Sequence, residues 1–551
     1  MYRINTGQQD SFIDPFDFLG PKRKALLESS WAALFRKHLF DKIPVKKIQS
    51  RFHATMGRPT KELRTALGVL LLQQMFNLTD EETIRHLAFN TEWHYALDLH
   101  LEDDESKYLC ERTLRLYRTL VMELEIDALL FRLLTDTLLD KFNIPTRKQR
   151  LDSTHIHSDM RRLSRVELFR KTIGKFLKVM RREHARLFKK YVDSELAARY
   201  LGKKNGYFSQ VKPSEAKVTL QQVAEDLFVL VETFRANRKI HGMKVYGLLQ
   251  RVLNEQCNVI SGEGEEAKVE IKDPKTVSSD SLQNPSDPDA GYSGHKGEGY
   301  QVQIMETYQD EKADGKPVQP NLITYLDVEP ACCSDSDAPL PAIEETKERE
   351  CAPKELLADT AYGSDANVQK AAKEGVDLIA PTMGKPKSKE DRLIRDDFTV
   401  DGETGEVTSC PGGEAPCEIR RGKGDGLKIY FDVAVCAVCD HQEYCCVGMN
   451  KDCKIEYTPK QLRLAQRRVS EESREFRDKY RWRSGIEAVN AKLKRMVGMG
   501  RLRVRGLGRV RLAVTLKVLG WNIFQAARAS KAFLGPFSVC EPPWTLSTQP
   551  T

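Results

Sequence analysis

The run Tyr480-Arg481-Trp482-Arg483-Ser484-Gly485-Ile486-Glu487-Ala488-Val489-Asn490-Ala491-Lys492-Leu493-Lys494 holds one carboxylate in a field of cations. From Arg481 to Ser530 Glu487 is the only acidic residue, against twelve Lys and Arg. A lone carboxylate in such a field points to a metal ligand surrounded by groups that hold phosphates. Arg483 and Glu487 stand four apart and share a helix face, and Lys494 follows two turns later on nearly the same face. The plainer reading of that pair is a surface salt bridge, typically worth under about 1 kcal/mol.

The chain, at 551 residues, is long enough for several domains with cores of their own. Its net charge of +8 is small for that length, and the distribution of charge says more. His157 to Tyr200 carries thirteen basic residues against five acidic, whereas Ser261 to Ala290 carries three against eight. Basic stripes favour phosphate contact, although a single charged helix is more often a solvated surface. No apolar run approaches the roughly 20 residues of a membrane span. The first ten residues lack the apolar centre of a signal peptide. A cytoplasmic protein with no membrane partner is expected, and its thirteen cysteines then argue for thiols or metal sites rather than disulfides.

Residues 15–142 read as a helical N-terminal domain. Leu63, Leu67, Leu70 and Leu71 share a helical face, and Thr79 with Glu82 makes a capping box. Short helices with tight turns suit a DNA-binding unit of helix-turn-helix type, and they equally suit a packing domain. A short strand signal, Gln149 to Ile156, opens a region expected over 148–382. A basic helical insertion interrupts it at about 160–258, where Val166, Phe169, Ile173, Phe176, Leu177 and Met180 form a core stripe. Residues 261–290 read as an acidic flexible linker. Strand signals follow at Tyr300–Met305, Leu322–Val328, Glu355–Asp359 and Val376–Ala380. A helix from Ser364 to Glu374, stopped by Gly375, lies between the last two. That alternation is an α/β sheet pattern. Residues 384–459 break it with Gly, Pro and seven cysteines, and 461–530 read as one long charged helix from about Gln461 to Met496 that carries Glu487, followed by a basic C-terminal part of the same region.

Phosphoryl transfer on DNA puts extra negative charge on already anionic oxygens. Two divalent ions roughly 3.5–4 Å apart meet that demand, held by about three carboxylates from separate elements. Asp152 and Asp359 each end a strand signal, and Glu487 lies on a helix. By local pattern Asp327, Asp365 and Asp377 fit as well, since Asp at strand ends is common in turns.

The motifs narrow that choice. Asp152-Ser153-Thr154, Ala358-Asp359-Thr360-Ala361-Tyr362-Gly363-Ser364-Asp365, and Tyr480, Arg483, Glu487 and Lys494 in order resemble the three signatures of DDE insertion-sequence transposases. The likeness runs from about residue 50 to 530. It implies an α/β fold with an RNase H-like catalytic core, a mixed sheet flanked by helices, plus helical and cysteine-rich insertions. It implies Asp152, Asp359 and Glu487 as catalytic ligands of Mg²⁺ or Mn²⁺. Tyr480, Arg483 and Lys494 would contact DNA, and Arg501, Arg503 and Arg505 would track its backbone. The activity implied is binding of terminal inverted repeats, strand cleavage and strand transfer, by a homodimer on double-stranded element ends and target, in a bacterial, nucleoid-associated setting. A domesticated DNA-binding protein and a nuclease without strand transfer are the alternatives.

His155 and His157 would face one side of a strand, as metal ligands can, or serve as polar packing or phosphate contacts near the site. Cys436 and Cys439 make one Cys-x2-Cys knuckle, and Cys410 and Cys445 would complete a structural zinc site. The cluster resembles a cysteine-bearing insertion of one branch of these transposases. Reduced, partly buried thiols are the other reading.

Overall fold

Lys148–His157 forms a ten-residue strand, β1, at the centre of the molecule's main sheet. Leu151, Thr154, His155 and Ile156 are all buried, so both faces of β1 are covered. Covering both faces suppresses the polar–apolar alternation that would have marked its full length in the sequence. In the computed structural model the described residues are 1–4, 14–100, 102–202, 215–260, 267–310, 319–383, 392–402, 404–421, 426–449 and 452–534. Parts of the expected linker (261–266) and of the expected cysteine-rich segment (384–391, 403, 422–425, 450 and 451) lie outside them.

The other strands of the sheet are β2 (Gly291–Ser293), β3 (Gly297–Thr307), β4 (Ile323–Pro330), β5 (Glu355–Leu357) and β6 (Asp377–Ile379). Their order across the sheet is β4-β3-β1-β5-β6, with β2 pairing the first residues of β3. β1 runs antiparallel to β3 and parallel to β5, β3 and β4 are antiparallel, and β5 and β6 are parallel. This is a mixed α/β architecture. The four strand signals between Tyr300 and Ala380 all become strands of this sheet. The helix between the last two is also present, Asp365–Lys373, with Ser364 Oγ accepting from the Asn367 N–H and Gly375 at φ +78° after its end.

The two faces of the sheet pack differently. Ile156, Tyr300, Val302 and Ile304 join one large core with the N-terminal helices and the C-terminal helix Leu507–Leu534. Leu151, Met305 and Tyr325 join a smaller core with the helices Pro339–Glu348 and Asp365–Lys373. The N-terminal helices are therefore continuous with the sheet and do not carry a separate core. Leu63–Met75 lies directly against the C-terminal helix, where a Cβ at Gly520 would come within 2.7 Å of Met75. Buried Lys517 closes this junction, its ammonium donating to Asn77 Oδ1 at 2.9 Å and to the Val497 carbonyl at 2.5 Å.

The basic insertion folds around its own core, with Phe169, Phe176, Leu227, Tyr246 and Leu249 buried. Of residues 267–290, expected as linker, 272–280 are mostly exposed, whereas 281–290 are mostly buried. Lys268–Ile271 pairs with Cys257–Ile260. Asp287 is 1% exposed and accepts from Ser158 Oγ, Tyr300 Oη and the Gly506 N–H. One buried carboxylate thus ties this segment to β1, β3 and the start of the C-terminal helix. The acidity read as solvation is in part hydrogen-bond capacity used inside the fold.

The expected single helix from Gln461 to Met496 is broken into Pro459–Glu471, Arg474–Tyr480, the 3₁₀ turn Arg481–Ser484, and Gly485–Met496. Ser473 restarts it by accepting from the Phe476 N–H. The 3₁₀ turn has a clear cause in β1. Arg150, buried, donates to Glu306 Oε2 at 2.9 and 2.6 Å, and its Nη1 donates to the Trp482 carbonyl at 2.8 Å. A Cβ at residue 485 would lie 2.0 Å from that Nη1, so only glycine lets the chain approach.

Removing one partner of a buried ion pair strands the other charge. Arg150→Ala is expected to cost about 3–5 kcal/mol of stability in denaturant unfolding. The double replacement Arg150→Met with Glu306→Leu is expected to recover most of that loss.

Candidate active site

The parallel register sets Arg150 beside Leu357. Two residues on, Asp152 and Asp359 stand at the same level; Asp359 lies just past the end of β5, whereas Asp152, expected at a strand end, is in the middle of β1, which runs on to His157. Asp359 caps the 3₁₀ turn Thr360–Tyr362, its Oδ1 accepting from the Thr360 N–H at 2.5 Å. The turn is fixed from both sides. Tyr362 Oη donates to Gln303 Oε1 at 2.8 Å, and a Cβ at Gly363 would lie 2.9 Å from the Pro381 carbonyl oxygen.

Glu487 sits in the first turn of Gly485–Met496, and Arg483 in the 3₁₀ turn just before it. The Arg483 guanidinium reaches all three acids. Its Nη1 lies 2.5 Å from Glu487 Oε1, and its Nη2 lies 3.2 Å from Asp152 Oδ1 and 3.3 Å from Asp359 Oδ2. None of the other local candidates reaches this centre. Asp365 is paired with Arg463, Asp327 lies by Arg511, and Asp377 starts β6 at the opposite end of its strand.

Three carboxylates face one guanidinium, an excess of negative charge. Burial pushes the Asp152 carboxyl up, opposed by the Arg483 cation, while the acids hold Arg483 firmly protonated against its own burial. Arg483 is thus 14% exposed and held by acids, whereas the sequence alone offered it as a phosphate contact. Asn490 Nδ2 donates to Asp152 Oδ2 at 3.1 Å, and its buried Oδ1 has no partner. Asn490 was missed in the sequence, though it lies three residues after Glu487 on the same face. Hard carboxylate oxygens in charge excess suit a divalent cation such as Mg²⁺. Among the described residues no three His, Cys, Asp or Glu side chains are set as ligands of one ion. For the three acids the reason is visible: the guanidinium stands among them.

The remaining DNA-contact candidates are more tied down than their sequence implied. Tyr480 is half-buried, stacks on Phe476 at 5.5 Å, and packs near Leu357 and Ile379. Arg503 donates to the Asn77 carbonyl, Arg505 to the Asp159 carbonyl, and Arg501 lies 3.2 Å from Asp159 Oδ1. Arg501 still has 67% of its side chain exposed. Lys494 is exposed on the helix that carries Glu487. His155 and His157 lie edge to face with ring centroids 4.7 Å apart.

Cys410, Cys436, Cys439 and Cys445 line one cavity together with Gly412 and His441. They gather as the spacing indicated, although among the described residues no group of three His, Cys, Asp or Glu is set to hold one ion. Burial, with the neighbouring cysteines, pushes the Cys436 thiol up to about 12 and raises Cys445 as well. Cys453, also buried, lies close to Cys436.

Residues 409–527 match a family model described as "Transposase DDE domain", and residues 27–113 match one described as "Transposase domain (DUF772)". The first spans Arg483, Glu487 and Lys494, and the second lies in the N-terminal helices. Together the two matches support an insertion-sequence transposase of the DDE type. No curated protein and no solved structure matches the chain. No helix among the described residues is long and apolar enough to cross a membrane.

Thiols held protonated by burial react slowly with alkylating reagents at neutral pH. Cys436 is expected to be alkylated more slowly than exposed Cys417, at a rate that a chelator leaves unchanged, as read by mass spectrometry of labelled peptides. Faster labelling after chelation would restore the zinc site.

Proposed function

We propose that this chain binds the terminal inverted repeats of an insertion sequence, cuts a DNA strand at each end, and joins the freed 3′-hydroxyl to target DNA. One observation carries the reading. Asp152 and Asp359, 331 and 124 residues from Arg483 in the chain, meet Glu487 at that single guanidinium. Chance ion pairs do not collect one acid from each of three separated motifs. The strand order and directions of the sheet further support an RNase H-like core.

Asp152, Asp359 and Glu487 would hold Mg²⁺ or Mn²⁺. When bound, a pair of such ions activates an attacking oxygen and stabilises a leaving one. The chain's own residues prepare that centre. Asn490 orients Asp152 through its Oδ2. The Tyr362–Gly363 turn fixes Asp359, and Arg150 sets the turn that presents Arg483 and Glu487. Arg483 offers a rigid planar array of donors, which matches carboxylate and phosphate alike. Lys494, Arg501, Arg503 and Arg505 lie on the following segment, where positive charge lends affinity for a phosphate backbone without reading bases. The N-terminal helices are the proposed base-reading part. Joining two ends in one event calls for a homodimer on DNA, working on the nucleoid in the cytoplasm.

Purified protein with Mg²⁺ and labelled DNA carrying candidate ends is expected to give nicked ends and joined products. Asp152→Ala, Asp359→Ala and Glu487→Ala are each expected to lower the rate by roughly 10²–10³-fold or more, the scale of losing one preorganised electrostatic group. Binding of the same DNA, read by gel shift, is expected to survive. Cleavage that persists in Glu487→Ala would rule out the site, and cleavage without joined products would reduce the activity to that of a nuclease.

A further inference from the structure

β1 keeps an open edge beside the acids. It pairs with β5 only from Lys148 to Arg150 and meets Arg501 only at His157, whose N–H donates to the Gly500 carbonyl. Between those points no described strand covers that edge. Ser153, His155 and His157 alternate along it and share one face of β1.

Two lysines from separate elements close over this stretch. Lys296 comes from the turn between β2 and β3, held at Gly297 by φ +91°, and its Nζ donates to Ser153 Oγ at 3.2 Å. Lys494 comes from the Glu487 helix, its stem resting by Gly500, where a Cβ would lie 3.5 Å from Lys494 Cγ. The two ammonium groups lie near enough to repel each other, and both act on the His155 ring. Among the described residues neither lysine has a carboxylate within ion-pair distance. Asp152 is the acid that acts on Lys494 from further off.

His155 adds an independent observation. The residue is 6% exposed, and neither ring nitrogen has a hydrogen-bond partner, with only a weak pull from the Glu298 backbone. A buried polar ring with no partner costs free energy, normally about 1–3 kcal/mol for each group left unsatisfied. The two lysines, both exposed, repel each other across the same stretch. A single anion placed among them would relieve both, by accepting from the two ammonium groups and from a ring N–H. Duplex DNA presents such anions at regular spacing along each strand.

We propose that Lys296, Lys494 and His155 form a second phosphate subsite, beside the acids along the open edge of β1. It holds a phosphodiester neighbouring the one that is cut. Lys494 was already placed on DNA by its motif. Lys296, contributed by a hairpin far from that motif, and His155 are new. The subsite fixes the strand's path past Asp152, so that the scissile phosphate arrives at the acids in one register. The choice of DNA as ligand rests on the transposase reading.

The test measures binding, so it does not depend on cleavage. Full-length wild type, Lys296→Ala, Lys296→Arg and His155→Phe are titrated against short labelled duplexes carrying candidate ends, by fluorescence anisotropy over a range of salt. Lys296→Ala is expected to weaken binding about tenfold and to reduce the slope of log affinity against log salt by about one. Lys296→Arg keeps the charge and is expected to keep the slope. His155→Phe fills the same space without ring nitrogens and is expected to weaken binding while leaving thermal stability unchanged or higher. In a duplex with a single neutral methylphosphonate beside the cleavage position, wild type is expected to lose affinity and Lys296→Ala to lose no more. Equal affinity and slope in wild type and Lys296→Ala would overturn the subsite, as would an unchanged penalty for the methylphosphonate in Lys296→Ala. Wild type that shows these binding losses but never cuts would leave the subsite standing and remove the transposase reading. Wild type that cuts while Lys296→Ala binds normally would do the reverse.

Discussion

The buried Arg150 guanidinium is the contact on which the candidate site depends. It is one side chain with two tasks. It neutralises Glu306 across the β1–β3 ladder, and it holds the Trp482 carbonyl, which pins the 3₁₀ turn to the sheet. Burial pushes the Glu306 carboxyl up, so without the arginine that acid would have to take a proton or find water. The pair is therefore costly to break. That cost is useful, because the same guanidinium fixes where Arg483 and Glu487 stand relative to Asp152. Gly485 belongs to this arrangement through the absence of a side chain. The sheet and the Glu487 helix touch at this point with no slack, and the distances among the acids follow from it.

The acids themselves show a second constraint. Three carboxylates within reach of one another repel, and the low dielectric near Asp152 sharpens the repulsion. Arg483 offsets part of it. A guanidinium is a broad, directional cation with several donors, so it can serve three acids from different elements at once. It leaves negative charge in excess, which is the electrostatic condition for taking up a harder and more highly charged ion. The geometry is that of a site balanced by its own arginine.

Much of the sheet could be read from the sequence, because β3 and β4 lie at the sheet's more regular side and Ser364 with Gly375 brackets its helix by local chemistry alone. β1 was read too short, since burial on both faces removes alternation. The broken helix was not readable: Arg481 to Gly485 looks helical, and what bends it is Arg150, distant in sequence. The same distance hid the buried Asp287, whose acidic neighbourhood looks like solvated linker until Ser158, Tyr300 and Gly506 are seen around it. For the candidate site, the motifs singled out the three acids that the structure brings together at Arg483, and Asn490 was within reach of the same helical arithmetic. Lys296 was not, because nothing local marks a lysine in a turn as neighbour to Ser153. The cysteines were placed together correctly, but spacing does not fix whether thiols converge or merely line one cavity.

The joint between the Leu63–Met75 helix and the C-terminal helix bears on how this chain reaches its native state. Contacts such as Gly520 against Met75 and Lys517 with Asn77 link residues more than four hundred positions apart. As the polypeptide leaves the ribosome, the N-terminal helices emerge first with their apolar stripes unmatched. They must wait for nearly all the remaining sequence before the helix that covers them exists. Loop closure over such a span is slow, and exposed apolar surface invites aggregation in the interval. The basic insertion, whose core is local in sequence, can fold during that wait. The N-terminal helices can complete their packing only once the C-terminal helix Leu507–Leu534 is available to them.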